Sequence, residues 1–299
     1  MAFDSIASPS GKAERVLGGA ATYFSLAASY FTKVSVVAVV GEDFSRQDED
    51  VLLHRGIDTR GIQHVAGKTF FWSGQYDEKN LNEAQTHRTD LNVFESFNPR
   101  IPEELLSAEY LFLGNIDPPL QANVRRQMKT AKLVAGDTMN YWINSKPNEL
   151  AEVLRLVDIM MINDGEARAL AGDTSLARAA LKILARGPKA LVIKHGEYGA
   201  TVFFREGAFG IGTHPFRAPA LPIEEVKDPT GAGDCFAGGF MGYIASQDQL
   251  NRETFKKAMF YGSVMGSFAV EKFGTERLQS LTREEIDARF EIFRELTHF

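Results

Sequence analysis

The sequence predicts an α/β protein with a doubly wound, mostly parallel sheet flanked by helices. Its apolar runs of strand length are mostly continuous rather than alternating, which is typical of strands covered on both faces. Segments with helical periodicity lie between these runs, and 299 residues are enough for one α/β domain. The predicted strands are 33–40, 110–114, 131–136, 157–163, 190–196 and 199–204, and the predicted helices are 18–31, 46–55, 119–130, 147–156, 165–185, 232–246, 251–271 and 282–296.

One stretch departs from this alternation. Residues 57–98 contain short β-like pieces, such as KTFFWSGQY and RTDLNVF, and no good helix. A structureless loop of this length is uncommon in a compact domain, so the stretch predicts a small β lobe that projects from the sheet edge. The lobe is either a lid over a ligand or a hairpin that only covers an edge. We therefore expect one domain, residues 1–299, with this lobe inserted.

Composition limits the classes of partner. The chain carries 33 Lys and Arg against 39 Asp and Glu, a formal net charge of −6, so its overall field repels nucleic acid and anionic membranes. We expect neither as a partner. The single cysteine, Cys235, excludes an internal disulfide and a cysteine-based zinc site. No apolar run reaches the ~18 residues of a membrane span, and residues 1–15 lack signal-peptide features, so we expect a cytoplasmic protein.

The most informative segment is KDPTGAGDCFAGGF, residues 227–240. Glycines just before a helix let consecutive backbone N–H groups converge, and the helix start adds partial positive charge, so the segment predicts an anion site. Asp234 at the rim of this site is explained if it takes a proton from a hydroxyl that attacks phosphorus. The alternative is that Asp234 caps the helix and the glycines form a tight turn. No Gly-Lys-Ser/Thr follows, so the segment is not a P-loop.

The longer context of this segment carries a family resemblance. The string DPTGAGDCFAGGF closely resembles the C-terminal signature of the PfkB/ribokinase family of carbohydrate and nucleoside kinases. The resemblance extends from about residue 3 to about residue 276 and implies a ribokinase-like fold. Three further segments match in the expected order, namely RVLGGAATYFSLAASYFTKVSVVAVVGEDF (15–44), NDGEARAL (163–170) and VIKHGEYGA (192–200).

The resemblance implies a role for each residue of the catalytic and nucleotide sites. Asp234 is implied to be the general base, and the backbone N–H groups of Gly231, Ala232 and Gly233 are implied to form the anion hole. Asp228 is the candidate for a monovalent cation such as K⁺. Asn163 and Glu166 are implied to organise Mg²⁺ and phosphate, Glu166 through water, whereas the residues alone favour a helix cap. The residues implied to lie near ATP are Thr230, Lys194 or His195, Gly196, Gly262 and Gly274.

The resemblance also implies an acceptor site. Asp4 matches the family's aspartate after the first strand, which binds acceptor hydroxyls, and Gly18-Gly19 let the acceptor approach the backbone. Tyr23 stands where many relatives have asparagine, which favours a bulkier or aromatic acceptor, such as a nucleoside, beside a simple sugar. Aromatic residues of the lobe point the same way but also suit simple packing. The remaining candidates are Asp43, Asn140, Phe70, Phe71 and Trp72.

The start of the chain departs from the family pattern. Only three residues precede Asp4, too few for the usual first strand of ~5–6 residues. Either the natural start lies upstream or a central strand is truncated. We expect the loss of that strand to expose neighbouring strand edges and to affect the position of Asp4.

These features predict an ATP-dependent, Mg²⁺-using kinase that transfers the γ-phosphoryl group to a hydroxymethyl group of a sugar or nucleoside. One alternative is a kinase of a phosphorylated sugar, for which Arg15, Lys68 and Arg88 are the available cationic groups. Another is a nucleotide- or sugar-binding regulator that has lost catalysis on the same scaffold. The β lobe is a candidate for edge-to-edge pairing into a homodimer.

Overall fold

The structure is a computed structural model that describes residues 1–297. Its helices and strands alternate along most of the chain. The strands are β1 (Ala2–Ser8), β2 (Gly11–Gly18), β3 (Ser35–Val40), β4 (Asp58–His64), β5 (Phe71–Asp77), β6 (Asn80–Asp90), β7 (Tyr110–Leu113), β8 (Leu133–Asp137), β9 (Ile159–Asn163), β10 (Ala190–Lys194), β11 (Ala200–Phe204) and β12 (Phe216–Ala218). The α-helices are α1 (Ala20–Ala28), α2 (Arg46–Leu53), α3 (Pro118–Gln127), α4 (Asn140–Ser145), α5 (Pro147–Leu156), α6 (Asp164–Ala171), α7 (Leu176–Leu184), α8 (Ala232–Gln247), α9 (Arg252–Ala269), α10 (Glu276–Ser280) and α11 (Arg283–Thr297).

The chain divides into two compact units. The first unit comprises Met1–Asn98, Ala220–Ser246 and Phe260–Phe299, and the second comprises Pro99–Pro219 and Gln247–Met259. The prediction of one domain with an inserted β lobe stays a prediction. Among the described residues, no helix is both long and apolar enough to cross a membrane.

The first unit contains two sheets. One has four strands in the order β2-β1-β5-β6, in which β1 runs antiparallel to β2 and parallel to β5. The other is a parallel pair of β3 and β4. A large apolar core lies beneath them, with Leu26, Val40, Leu52 and Phe293 among its fully buried side chains.

The second unit is built on a six-stranded sheet in the order β12-β11-β10-β9-β8-β7. Strands β7 to β10 are parallel, and β11 and β12 form an antiparallel edge. The parallel strands are apolar on both faces, and β9 reads Ile-Met-Met-Ile before its terminal Asn163. This arrangement confirms the α/β class with mixed sheets flanked by helices, and the carboxyl ends of β8, β9 and β10 lie side by side at one edge.

The helix predicted over 165–185 is wrong as one element. The structure has α6 and α7 instead, and α6 ends because Gly172 adopts the left-handed conformation at φ 59°. Backbone N–H groups of Gly172 and Asp173 then bond to carbonyls of the last turn of α6, which closes the helix end. Glycine at a left-handed helix cap is a signal that periodicity alone does not carry.

The first strand also differs from expectation. Asp4 was expected after a strand, but it lies inside β1, which runs from Ala2 to Ser8. Strand β1 turns through Pro9-Ser10 into β2, with Ser8 paired to Gly11. The sheet of β5 and β6 therefore includes β1 and β2, whose sequence periodicity did not indicate strands. Within the described residues, β3 pairs only with β4 and β7 only with β8, so each keeps one unpaired edge.

Candidate active site

The start of α8 forms a backbone turn in the first unit. Gly231 has φ 74°, a conformation that favours glycine. The N–H of Cys235 bonds to the Gly231 carbonyl at 2.8 Å, and that of Ala232 bonds to the Pro229 carbonyl at 3.2 Å. Among the described residues, the N–H groups of Gly231 and Gly233 have no protein acceptor, as is usual in the first turn of a helix. Two of the three amides predicted for the anion hole are thus available, and that of Ala232 is engaged.

Gly238 and Gly239 let α8 pack closely against its neighbours. A Cβ added to Gly238 would lie 2.5 Å from the Phe24 carbonyl oxygen, and one added to Gly239 would lie 2.6 Å from that of Tyr261. Real Cβ atoms do not approach so closely, so these positions require glycine. Cys235 is fully buried, and burial raises the pKa of its thiol well above the usual value. It is therefore a small buried side chain.

Tyr23 lies under this turn rather than at a surface. Its side chain is 1% exposed, and a Cβ on Gly231 would lie 2.4 Å from its ring. The Tyr23 hydroxyl is buried without a hydrogen-bond partner in the part of the chain that the structure describes. Burial, followed by the charges of Asp4 and Asp228, raises the pKa of Tyr23 well above its usual value. The structure thus gives Tyr23 a supporting contact with the turn, and its contact with an acceptor stays a prediction.

Asp228 ties this turn to the chain after α9. One carboxylate oxygen accepts the Thr230 N–H at 2.9 Å, and the other accepts the Gly274 N–H at 2.8 Å. Asp228 is fully buried, and burial raises its pKa despite these bonds. Gly274 has φ 58°, so it is the left-handed residue that points its amide at this carboxylate. The bonds give Asp228 and Gly274 a structural role, whereas their predicted cation and nucleotide contacts stay predictions.

Asp4 and the Gly18-Gly19 pair pack against each other. A Cβ on Gly18 would lie 1.9 Å from the Asp4 Oδ2 atom, so glycine at this position makes room for the carboxyl group. Gly19 has φ 84°, and a Cβ there would lie 2.8 Å from the Ala2 nitrogen. The pair was expected to admit the acceptor. In the structure, the close approach is by Asp4 and Ala2 themselves.

The carboxyl group of Asp4 is 4% exposed and belongs to an acidic cluster. Burial raises its pKa to about 7, a hydrogen bond from the Gly19 backbone opposes that shift, and the charges of Asp228 and Asp234 add to it. Asp234 lies in the first turn of α8 and is half-buried. Tyr76 joins the cluster, because its hydroxyl accepts a hydrogen bond from Thr230 Oγ1 at 3.1 Å. Asp4, Asp228, Asp234, Tyr23 and Tyr76 therefore form one electrostatically connected group, which we call the acidic cluster.

Asn163 and Glu166 form a capping box in the second unit. The Asn163 Oδ1 atom accepts the Glu166 N–H at 2.7 Å, and Glu166 Oε2 accepts the Asn163 N–H at 2.8 Å. This is the structural alternative that the residues alone favoured. Burial raises the pKa of Glu166 to about 7, the charge of Asp137 adds to the shift and Lys194 opposes it. A cap alone does not need a carboxyl group in so costly a position.

Asp137 is a candidate residue that sequence reasoning missed. It ends β8, is 6% exposed, and accepts the Lys194 ammonium at 3.1 Å across from the end of β10. The signal was present, because a polar residue directly follows the buried run of β8 at a carboxyl edge of the sheet. The predicted neighbour Asn140 is instead exposed at the start of α4. We call Asp137, Glu166 and Lys194 the charged triad.

The charged triad suits a hydrated Mg²⁺ ion. Two buried carboxylates share one lysine, so a cation nearby would stabilise both ionised forms. The described residues contain no group of three or more metal-ligating side chains, so a fully protein-bound cage is absent from them. Mg²⁺ usually keeps several waters and takes only one or two carboxylates, which this donor set can supply.

The remaining predicted residues have local structural contacts. Gly196 has φ 57° in the turn after β10, and the His195 Nε2 atom lies 3.0 Å from Thr201 Oγ1. A Cβ on Gly262 would lie 2.9 Å from the Phe236 ring, so this glycine permits close packing of α9 on α8. The nucleotide contacts proposed for Gly196 and Gly262 stay predictions. Asp43 accepts the Thr69 N–H at 2.7 Å and the Thr69 hydroxyl at 2.8 Å.

The fold is of the α/β class, and the start of α8 offers backbone amides of the kind that phosphoryl-transfer enzymes use to hold phosphate. Comparison with known proteins gives the family. The model of the pfkB family of carbohydrate kinases matches residues 5–281. The chain belongs to this family.

Individual relatives agree with this assignment. A protein of Thermococcus kodakarensis named cytidine kinase is 31% identical over 248 residues, which are 81% of this chain and 84% of that protein. The nucleoside kinase of Burkholderia thailandensis in complex with inosine has a TM-score of 0.76 at 22% identity, covering 97% of this chain and 95% of that one. A putative ribokinase II of E. coli in complex with ATP and Mg²⁺ has a TM-score of 0.74 at 21% identity, covering 97% and 96%. These two structures establish the ribokinase fold.

Proposed function

We propose that this kinase transfers the γ-phosphoryl group of ATP to a hydroxymethyl group of a nucleoside or sugar, with Asp234 as the general base. The observation that carries the proposal is the position of Asp234 in the first turn of α8, directly after the amides of Gly231 and Gly233. The Asp234 carboxylate takes the hydroxyl proton as the oxygen–phosphorus bond forms. The bond from the γ-phosphorus to the bridging oxygen breaks, and ADP leaves.

The turn before α8 supplies the electrostatic part of the proposal. The N–H groups of Gly231 and Gly233 have no protein acceptor among the described residues, so they are available to phosphoryl oxygens. The partial positive charge of the helix start acts in the same direction. Asp228 fixes the turn by its two backbone hydrogen bonds, and Tyr23 supports it from below. A rigid turn keeps the amides oriented before the charge develops.

The charged triad supplies the proposed cation and nucleotide contacts. Glu166 and Asp137 would hold hydrated Mg²⁺, which when bound neutralises phosphate charge. The Lys194 ammonium, paired with Asp137 at 3.1 Å, would reach phosphate oxygens from its own strand end. Asn163 orients Glu166 through the capping box. The capping box is therefore compatible with the proposed role of Glu166 at the cation.

The names of relatives favour a nucleoside acceptor. Two of the matched proteins are named cytidine kinase and nucleoside kinase, and one structure contains inosine. Asp4 is proposed to bind an acceptor hydroxyl, since its carboxyl group shares the acidic cluster with Asp234. A cytoplasmic location and a homodimer through the β lobe stay predictions.

Turnover of Asp234→Asn tests the proposal. We expect transfer to a nucleoside to fall ~10²–10⁴-fold with ATP and acceptor binding retained, because the amide cannot accept the proton. Glu253→Gln is the matched control, since Glu253 is an exposed acid in the first turn of α9. Unchanged turnover in Asp234→Asn would remove that residue from the mechanism. Ligand binding without any phosphoryl transfer by the wild-type protein would instead favour the alternative of a nucleotide- or sugar-binding regulator that has lost catalysis.

A further inference from the structure

Tyr76 of the β lobe lies on the same face of its sheet as Asp4. Strands β1 and β5 run parallel, with Asp4 opposite Trp72. Side chains alternate between the two faces along a strand, so Tyr76, four residues after Trp72, points to the same face. Burial follows this alternation, because Tyr76 is 8% exposed whereas its neighbours Gln75 and Asp77 are exposed. The Tyr76 phenol therefore lies on the side of the lobe that carries the acidic cluster.

The hydroxyl of Tyr76 bonds to the backbone turn that precedes α8. Its oxygen accepts a hydrogen bond from Thr230 Oγ1 at 3.1 Å, from a residue 154 positions away in sequence. Trp72, on the same strand and face, instead donates its indole N–H to Thr86 Oγ1 of β6 at 3.1 Å. The Trp72 bond thus stays within the β5–β6 hairpin, whereas the Tyr76 bond joins that hairpin to the turn.

The Tyr76 phenol is protonated in this position. Burial is the largest cause that raises its pKa, to about 12, and the bond from Thr230 opposes the shift. The charges of Asp228, Asp4 and Asp234 raise the pKa further. A phenol in this state can orient a neighbouring group by hydrogen bonding without adding a charge. Tyr76 is therefore suited to holding the turn and not to accepting a proton.

The position of Thr230 decides the orientation of the Gly231 amide. The Gly231 N–H lies in the peptide plane that contains the Thr230 carbonyl, so the two groups move together. Gly231 has φ 74°, and glycine has more backbone freedom than other residues, so this plane needs restraint from outside. Asp228 accepts the Thr230 N–H at 2.9 Å, and Tyr76 binds the Thr230 side chain. Thr230 is thus held by both its backbone and its side chain.

We propose that Tyr76 is a positioning residue for phosphoryl transfer, which acts through Thr230 to hold the Gly231 amide in the orientation that meets the transferred phosphoryl group. The inference rests on the proposed function, since the orientation of the turn affects transfer only if its amides bind phosphoryl oxygens. The β lobe then contributes to the rate of transfer. A hairpin that only covered a sheet edge would have no such effect.

Tyr76→Phe tests the proposal, because it removes the hydroxyl and keeps the ring. We expect kcat, measured with ATP, Mg²⁺ and the best acceptor among cytidine, ribose and fructose, to fall about 3- to 30-fold. The KM values for ATP and for the acceptor should change by less than about twofold, because the amides act mainly on charge that develops in the transition state. Unchanged kcat would overturn the proposal, including the case in which only the acceptor KM rises.

Tyr30→Phe is the matched control. The Tyr30 hydroxyl donates to the Leu278 carbonyl at 2.6 Å, so its loss removes a phenolic hydrogen bond to α10 rather than to the turn. Its kcat should stay within about twofold of the wild-type value. Melting temperatures of both variants check that they are folded. An equal fall in kcat in Tyr30→Phe and Tyr76→Phe would mean a general loss of stability and would contradict the positioning role.

Variants of Thr230 test whether Tyr76 acts through that residue. Thr230→Val removes the donor hydroxyl and keeps the branched shape, so adding Tyr76→Phe to it should change kcat by less than about twofold. Thr230→Ser keeps the hydroxyl, and in that background Tyr76→Phe should retain most of its effect. Effects of Tyr76→Phe that multiply with those of Thr230→Val would overturn the proposal.

An NMR measurement separates this inference from the proposed function. The order parameter of the Gly231 N–H should be about 0.85 in the wild type and should fall toward about 0.6 in Tyr76→Phe but not in Tyr30→Phe. If the wild-type protein transfers phosphate to no acceptor, the proposed function fails, and this loss of order would still support the restraint of the turn by Tyr76. Equal order in the two variants would overturn the inference even in an active kinase.

Discussion

The acidic cluster of the first unit and the charged triad of the second both contain buried carboxyl groups, but these carboxyl groups have different partners. Both bury carboxyl groups, and burial raises the pKa of Asp4 and of Glu166 to about 7. Backbone N–H groups are the main partners in the acidic cluster, those of Gly19 for Asp4 and of Thr230 and Gly274 for Asp228. The triad relies on the Lys194 ammonium. The comparison indicates that uncharged amides leave the carboxyl groups of the acidic cluster able to accept protons. In the charged triad, the Lys194 ammonium offsets part of the negative charge, which suits contacts with phosphate and a cation.

Lys194→Met should break the charged triad most severely. It leaves two buried carboxylates without their cation, and removal of one partner from a buried ion pair costs about 3–5 kcal/mol. Urea unfolding at pH 8 measures this loss. The double variant Lys194→Met with Asp137→Asn should recover a large part of it, because the remaining carboxyl group then has no charged neighbour. A loss that the second substitution fails to reduce would contradict the electrostatic account.

Asp4→Asn should change the pH dependence of the first unit. The pKa of Asp4 is raised on folding from 3.8 to about 7, so its contribution is fully present below about pH 4 and is lost as pH rises through 7. The difference amounts to about 4 kcal/mol at one pKa unit per 1.36 kcal/mol. Unfolding free energies at pH 5 and pH 8 should therefore differ less in Asp4→Asn than in the wild type. An identical pH slope in both proteins would show that Asp4 is not the titrating group.

Gly231→Ala tests whether contact with Tyr23 constrains the backbone turn, and an unobstructed glycine, Gly172, provides the control. The added Cβ meets the Tyr23 ring at 2.4 Å in a left-handed conformation, so we expect a cost of about 2–4 kcal/mol. Gly172→Ala is the control, because Gly172 has φ 59° and no atom within 4 Å of the added Cβ. It should cost only about 1–2 kcal/mol. Equal losses in the two variants would mean that the contact with Tyr23 does not constrain the turn.

The smallest expected effect comes from a comparison of two capping boxes, of which only the one at α6 contains proposed functional residues. Ser45 and Asp48 cap α2 by the same reciprocal bonds that Asn163 and Glu166 form at α6. Ser45→Ala and Asn163→Ala should each cost about 1 kcal/mol. We expect Asn163→Ala alone to raise the Mg²⁺ concentration needed for half-maximal activity. Equal Mg²⁺ dependence in the two variants would mean that Asn163 acts only as a helix cap.

The sequence predicted the framework of the molecule better than the surroundings of its sites. Continuous apolar runs predicted β8, β9 and β10 within two residues, because strands buried on both faces leave that pattern. The glycine string predicted a backbone turn before α8, where Gly231 has φ 74°. Asp137 was missed because its importance depends on Lys194, which is 57 residues away in sequence. The burial of Tyr23 was missed for the same reason, since Gly231 is distant in sequence and adjacent in space.

Strand pairing shows the same limit. Strands β1 and β2 are polar and mixed, so periodicity did not indicate them, although Ser-Pro-Ser-Gly at residues 8–11 is a turn signal. Their pairing with β5 depends on contacts about 68 residues apart, such as Phe3 with Phe71. Local pattern does not encode such contacts.

The single-turnover rate of Asp234→Asn tests the central claim most directly. With saturating ATP and cytidine, Asp234→Asn should transfer the phosphoryl group ~10²–10⁴-fold more slowly than the wild type, with both ligands still bound, because the amide cannot accept the hydroxyl proton. A variant that keeps the wild-type rate would contradict the assignment of Asp234 as the general base.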